Sequence, residues 1–243
     1  MLGIIIIIVL AILLTKFIIY LGNISSNNNI DTTQNERERL NQLTNRIKAD
    51  LNSIEEGEAE ERYIELELQR QNFPKRVLRD MYIPYNGETK QIDVLLLSEF
   101  GIYVIESKDY SGWIFGSENS KIWTQSLNKH SRYKFYNPIW QNKSHIKALC
   151  EFLKLEEKYF YSLIVFSGKA ELKKIPDDTE NYKIINDYEI NDYIKKENEI
   201  KTKVFTETQL DIFYNMLLPT TQVSDEVKQT HIENVKKYQI KNS

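Results

Sequence analysis

TKQIDVLLLSEFGIYVIESK, residues 89–108, reads as two β-strands joined by a tight turn. Leu95, Leu96, Leu97 and then Ile102, Tyr103, Val104, Ile105 form continuous apolar runs, the pattern of a sheet covered on both faces. Into this hairpin the chain sets three charges, Asp93, Glu106 and Lys108. Burying a charge is costly unless it is paired or binds a metal. Side chains alternate along a strand, so Glu106 and Lys108 share a face. Asp93 and Glu106 stand at equal distances from the Ser98–Gly101 turn, which predicts that they lie side by side across the ladder. Two carboxylates and an amine then meet on one face.

That constellation suits Mg²⁺ or Mn²⁺, hard cations that take carboxylate oxygens and keep water in the rest of their shell. A bound cation would lower the pKa of a water and neutralise charge on a phosphodiester, with the lysine orienting or deprotonating that water or stabilising the developing charge. The same three charges could also form an ion triad that only balances itself, and spacing alone leaves both readings open.

Outward from the hairpin, residues 77–84 predict a preceding strand, joined through Asn86-Gly87, a turn signal. Before it, residues 58–69 predict a helix rich in Glu58, Glu60, Glu61 and Glu65. After it, Tyr110, Trp113, Phe115, Trp123, Tyr133, Phe135 and Tyr136 alternate with Lys121, Lys129, Arg132 and Lys134. Exposed rings beside basic groups suit single-stranded or frayed nucleic acid, while a place in the core is the stronger expectation for any given ring and the basic cluster is the more telling part. Asn137-Pro138 starts a helix running to about residue 155, with Gln141 and His145 on one face. Further strands are expected at 159–167 and 182–185, and helices at 189–196, 206–218 and 223–239.

The stretch ETKQIDVLLLSEFGIYVIESKDYSGWIFGSENSKIWTQ, followed by FYNPIWQNKSHIKAL, resembles the nuclease-related domain (NERD) family over about residues 57–166. QID, the G-I-x-V-I-E-x-K run, the 112–116 segment, Trp123 and N-P-I-x-Q-N-x-x-H-I follow in the family's order. The family looks like a branch of the PD-(D/E)xK nuclease superfamily. The resemblance implies an α/β fold, a mixed β-sheet flanked by helices. It makes Asp93 and Glu106 metal ligands, Lys108 the catalytic lysine and Gln91 an adjacent polar residue. The family's G-x-x-G-E element matches Gly57 to Glu61, with Glu61 as the acid, Glu60 in place of the second glycine, and Glu58 as a fallback. Gln141 and His145 would face the site, His145 without ligating a hard cation, and Lys121 and Arg132 would contact substrate.

Residues 2–21, LGIIIIIVLAILLTKFIIYL, hold one charge, Lys16, in a run whose helical length of about 30 Å matches a bilayer core. A retained single-pass anchor is expected, because no basic residue precedes Lys16 and no cleavage signal follows. Basic residues Arg37, Arg39, Arg46 and Lys48 follow it, which places the domain on the cytoplasmic side of the cell membrane. Residues 22–34 read as a polar linker, and 35–56 as an amphipathic helix or short coiled coil, with homo-oligomerisation through 35–54 one outcome. The nuclease-like core is expected at 57–170 and a C-terminal strand and helices at 171–243.

Composition narrows the classes. With 32 Lys+Arg against 35 Asp+Glu the net charge is −3, so nucleic-acid binding must come from a local site, not from bulk charge. The single cysteine, Cys150, excludes an internal disulfide and thiolate zinc fingers. The reading is a membrane-anchored, metal-dependent nuclease-like protein acting on DNA or RNA, with DNA ahead of RNA. Its competitors are a catalytically inactive nucleic-acid-binding or protein-interaction module and, more weakly, membrane-associated signalling.

Overall fold

In the computed structural model the described residues are 57–240, together with Arg39. The expected span 2–21, linker 22–34 and helix 35–56 lie outside them, apart from Arg39, which is helical and exposed. Among the described residues no helix is long and apolar enough to cross a membrane.

A helix, α1, covers described residues 57–69. Three antiparallel strands follow: β1 (Lys75–Tyr85), β2 (Glu88–Ser98) and β3 (Gly101–Lys108). The first turn takes Asn86 at φ 50° and Gly87 at φ 78°, a two-residue hairpin in which both positions need φ above zero. Next come β4 (Gly112–Phe115), β5 (Ile122–Ser126) and β6 (Arg132–Tyr136), then helix α2 (Pro138–Leu153). The side chain of Asn137 accepts the Ile139 amide and Pro138 occupies the first turn, so α2 starts where its capping sequence predicts. The chain ends with β7 (Phe160–Phe166), β8 (Ala170–Lys174), β9 (Tyr182–Asn186), and helices α3 (Ile190–Ile200), α4 (Glu207–Leu217) and α5 (Asp225–Ile240).

The main sheet has the order β1-β2-β3-β7-β9 and is mixed, with β7 parallel to β3 and β9 parallel to β7. Both faces are covered, which explains the unbroken apolar runs. Leu95, Leu97, Ile102 and Val104 pack with Ile146, Leu149 and Leu153 of α2 and Leu210, Phe213 and Leu217 of α4. Leu96, Tyr103 and Ile105 pack the opposite way, with Ile64 and Leu68 of α1 and Ile190 and Ile194 of α3. Truncating a fully buried leucine in either layer costs about 2–5 kcal/mol.

A second sheet, of order β6-β5-β4-β8, was not read from the sequence, which pointed to a single mixed sheet. Its strands have four or five residues and only one apolar side, and AELKK of β8 becomes a strand by pairing with β4. Ile114, Trp123, Phe135 and Leu172 turn inward onto Ile164, Phe166 and Ile184 of the main sheet. The Trp123 and Phe166 rings lie 6.4 Å apart and within 5° of parallel. Gly112 sits at φ 75°, where a Cβ would come within 2.6 Å of the Ser126 carbonyl oxygen. At Gly116 a side chain would overlap the buried Trp123 indole.

This packing has measurable consequences. Gly116→Ala destabilises by about 1–3 kcal/mol in thermal unfolding, while Gly57→Ala, with nothing within 4 Å of the added methyl, does not. Burial also pushes the Cys150 thiol up to about 11. Its alkylation in the folded protein is therefore slow near neutral pH, gains about tenfold per pH unit as the thiolate forms, and reaches the ordinary rate on unfolding.

Candidate active site

The ladder opens where the charges stand. Arg79 pairs with Val94 and Met81 with Ile92, but the rung between them, Asp80 and Asp93, is not made. Asp80 is instead left-handed, at φ 51°. Ile92 packs on the α2 side and Val94 on the α1 side, so the two-residue alternation breaks at Asp93. The last β2–β3 rung is Val94 with Ile105. One step on, the Asp93 carboxylate replaces the missing backbone acceptor and takes the Ser107 amide at 2.8 Å. Asp80, Asp93 and Glu106 thus occupy one level across three neighbouring strands.

Glu106 is fully buried, and Lys108, two residues on along the same face, donates its ammonium to Glu106 Oε1. Glu106 Oε2 has no hydrogen-bond partner. His145 comes in from α2 and holds Nδ1 3.3 Å from that oxygen, without hydrogen-bond alignment, so Nδ1 is unpartnered as well. Burial lowers the imidazole to about 4, against the pull of the Asp93 charge, so it is neutral at physiological pH and the contact is not an ion pair. Asn142, one turn before Ile146, anchors α2 by donating to the Val104 carbonyl at 2.8 Å and to Ser162 Oγ at 2.9 Å.

The acids share an excess of negative charge. Burial, then the neighbouring Glu106 charge, pushes Asp93 up to about 7, although Lys108 opposes. Glu106 is raised by burial against the Lys108 charge. For Lys108 burial works downward, but the charges of Glu106 and Asp93 outweigh it and hold the ammonium above its usual value. Glu61 reaches about 8, through burial and then the charges of Asp93 and Asp80, with Arg79 opposing from 3.9 Å. Desolvation and neighbouring like charges together account for these raised values.

The sequence-derived candidates divide. Asp93, Glu106, Lys108 and His145 come together, and Glu61 lies close enough to feel the first two. Gln91 donates to Asp80 Oδ1 at 2.9 Å. Gln141 is half-buried on α2, one turn ahead of His145. Arg132 opens β6 of the second sheet, and Lys121 lies in the loop just before β5. Glu58 is exposed. Glu60, at the position of the family's second glycine, is pushed up to about 7 by burial and by the charges of Asp187 and Asp109.

Asp80 is the residue that the sequence reading missed. It stands five positions before Tyr85 and Asp93 five after Glu88, so the counting applied to the second turn, repeated at Asn86-Gly87, would have found it. Lys228 of α5 donates to Asp80 Oδ2 at 2.5 Å, which brings the C-terminal helix to this end of the sheet. Among the described residues no group of three or more His, Cys, Asp or Glu is gathered as a metal-holding set. A cavity of about 830 Å³ lies elsewhere, lined by Ile139, Ser162, Tyr182 and Tyr193, and none of the site acids lines it.

Breaking the Lys108–Glu106 pair is costly, although replacing both partners is not. Lys108→Met leaves a fully buried carboxylate without its cation and lowers unfolding stability by about 3–5 kcal/mol, whereas Glu106→Gln combined with Lys108→Met recovers most of that loss. Chemical denaturation of the three proteins measures the difference.

Residues 56–167 match the nuclease-related domain (NERD). A protein of Bacillus anthracis described as uncharacterised is 28% identical over 153 residues, which is 63% of this chain and 69% of that protein. No solved structure matches the chain. The segment matching this family model, residues 56–167, contains Glu61, Asp80, Asp93, Glu106, Lys108 and His145.

Proposed function

We propose that this protein is a membrane-tethered, metal-dependent nuclease that hydrolyses phosphodiester bonds of DNA or RNA. The observation that carries the reading is the Glu106 carboxylate. It is fully buried, leaves one oxygen without a partner, and stands beside Asp93 within a nuclease-related domain. A scaffold has no need of two such carboxylates together, because desolvated neighbouring acids cost stability.

The residues fit a divalent cation on the same ground. Asp93 and Glu106 would hold Mg²⁺ or Mn²⁺, which needs only one or two protein carboxylates and completes its shell with water and substrate phosphate. When bound, the cation supplies a water of lowered pKa and charge neutralisation at the phosphate. The chain's own groups do the rest. The Ser107 amide holds the Asp93 carboxylate in orientation. Lys108, already fixed by Glu106 Oε1, presents an ammonium to charge that develops on a phosphate oxygen. Neutral His145 and the Asn142 anchor seal the inner wall, and Glu61 adds a third carboxylate at the rim. Tethering rests on the apolar run at 2–21, with the domain on the cytoplasmic side by the placement of the basic residues that follow.

The test uses the full-length chain in detergent micelles, with labelled single- and double-stranded DNA and RNA, in Mg²⁺, Mn²⁺ or EDTA. Cleavage is expected with metal and not with EDTA, and Asp93→Asn and Lys108→Ala each lower it by about 100-fold or more. A folded wild-type chain that cuts none of the four substrates with either metal overturns the enzymatic reading in favour of the inactive module. In membranes, alkaline carbonate should leave the full chain in the pellet and release a chain lacking residues 2–21. Release of the full chain would end the anchor reading.

A further inference from the structure

The second sheet has one covered face and one open face. Trp113 pairs with Ser126, Phe115 with Thr124, Thr124 with Lys134 and Ser126 with Arg132, so alternation puts Trp113, Phe115, Arg132 and Lys134 on the same side. That side is opposite to Ile114, Trp123 and Phe135, which are committed to the core. Tyr136 joins it through its pairing with Ile122. The result is an outward surface on which Trp113 is 48% exposed and Tyr136 43%. Large exposed rings gathered on one short sheet are unusual for a surface with no partner.

The charges on that face are mainly positive. Arg132 and Lys134 are exposed, and Lys134 is steadied by donating to Thr124 Oγ1 at 2.7 Å. Lys173 stands 5.6 Å over the Trp113 ring and pairs with Glu171 at 2.6 Å, so the acid on this face is matched. A local basic surface in a chain of net charge −3 is built for a polyanion. Phe115, Thr124, Arg132 and Lys134 also line a concavity of about 200 Å³, which offers an apolar ring beside two cations. The surface continues the acid site: β4 starts four residues after Lys108, and Gln125 donates to the Ser111 carbonyl between them at 2.9 Å.

We propose that the open face of the β6-β5-β4-β8 sheet is a docking platform for single-stranded nucleic acid, with bases stacked on Trp113 and Phe115 and phosphates on Arg132, Lys134 and Lys173. This rests on the nuclease reading and names the form of substrate that the site receives. Stacking selects a single strand because a base offers its π-face only when it is not stacked within a duplex, and it does so without reading sequence. A duplex buries those faces and presents phosphates alone. Arg is suited to the phosphate and also to stacking beside a base.

The test measures binding apart from cleavage, on the full-length wild-type chain in detergent with EDTA. Fluorescence anisotropy follows labelled oligo-dT and the same strand annealed to oligo-dA over a range of salt. The single strand is expected to bind more tightly than the duplex, and Trp113→Ala to weaken it by about tenfold or more. Arg132→Ala with Lys134→Ala should flatten the slope of log affinity against log salt by about 1.4, since each single-strand phosphate that a cation neutralises adds ~0.7 to that slope. Circular dichroism confirms that the surface variants fold. The platform is overturned if no oligonucleotide binds, if the duplex binds as tightly, or if the variants keep wild-type affinity and salt slope. A chain that binds in this way but cuts nothing with metal loses the nuclease reading and keeps the platform. One that cuts while the variants bind as wild type does the reverse.

Discussion

Everything at the acidic end of the main sheet is arranged around one carboxylate that has been taken out of water. Glu106 sits at the end of a strand whose preceding residues are fully buried, and removing such a charge from solvent costs several kcal/mol unless a partner stands close. Lys108 can be that partner because strand alternation returns it to the same face two residues later. The Glu106–Lys108 pair still leaves an oxygen unsatisfied, facing a neutral histidine. A second desolvated carboxylate, Asp93, stands close by: burial raises the cost of ionising both acids, and the Glu106 charge raises that of Asp93 further.

The surrounding fold accommodates that charge by opening its own ladder. Asp80 and Asp93 do not form their rung, and Asp80 takes a left-handed conformation that is uncommon for a residue with a side chain. The freed Asp93 carboxylate takes up the Ser107 amide instead. Asp80 is held from outside by Gln91 and by Lys228 of the C-terminal helix. A segment beyond the matched family region therefore braces the acid row, and α5 is part of how the site is kept in shape. Strain of this kind persists where the environment over-determines it, which is typical of functional sites.

The two sheets divide the work. The main sheet is covered on both faces and supplies rigidity, with α1 and α3 on one side and α2 and α4 on the other. The second sheet covers the main sheet with one face and leaves rings and cations on the other. Glycines 112 and 116 permit the join: one follows a left-handed path under the Ser126 carbonyl, and the other lets the Trp123 indole lie flat against the backbone. A stretch of sequence that reads as loosely aromatic and basic is in fact two populations of rings, Trp123 and Phe135 inside and Trp113 and Tyr136 outside.

Local chemistry made much of this readable in the chain alone. Hairpin turns set register, so counting from Ser98 and Gly101 was enough to bring Asp93 to the level of Glu106, one step past the last rung, and period two was enough to set Lys108 with Glu106. The N-cap at Asn137, the Asn86-Gly87 turn and the apolar runs of β2, β3 and β7 are likewise written in a few adjacent residues. The helical period placed Gln141 and His145 on one face, but which of them reaches Glu106 depends on how α2 lies across the sheet, and that is set by Asn142 and the Val104 carbonyl. The pairing of β8 with β4 that completes the second sheet, the packing of that sheet on the main one, the clasp of Lys228 on Asp80, and the turning of Glu60 toward Asp187 all join residues far apart in sequence. Their energies come from contacts that exist only once the chain has closed, and no local pattern encodes them. The sequence by itself determined which charges enter the apolar hairpin and in what register; the tertiary structure decided which of them stay unpaired, because desolvation is a property of the packed surroundings and not of the residue.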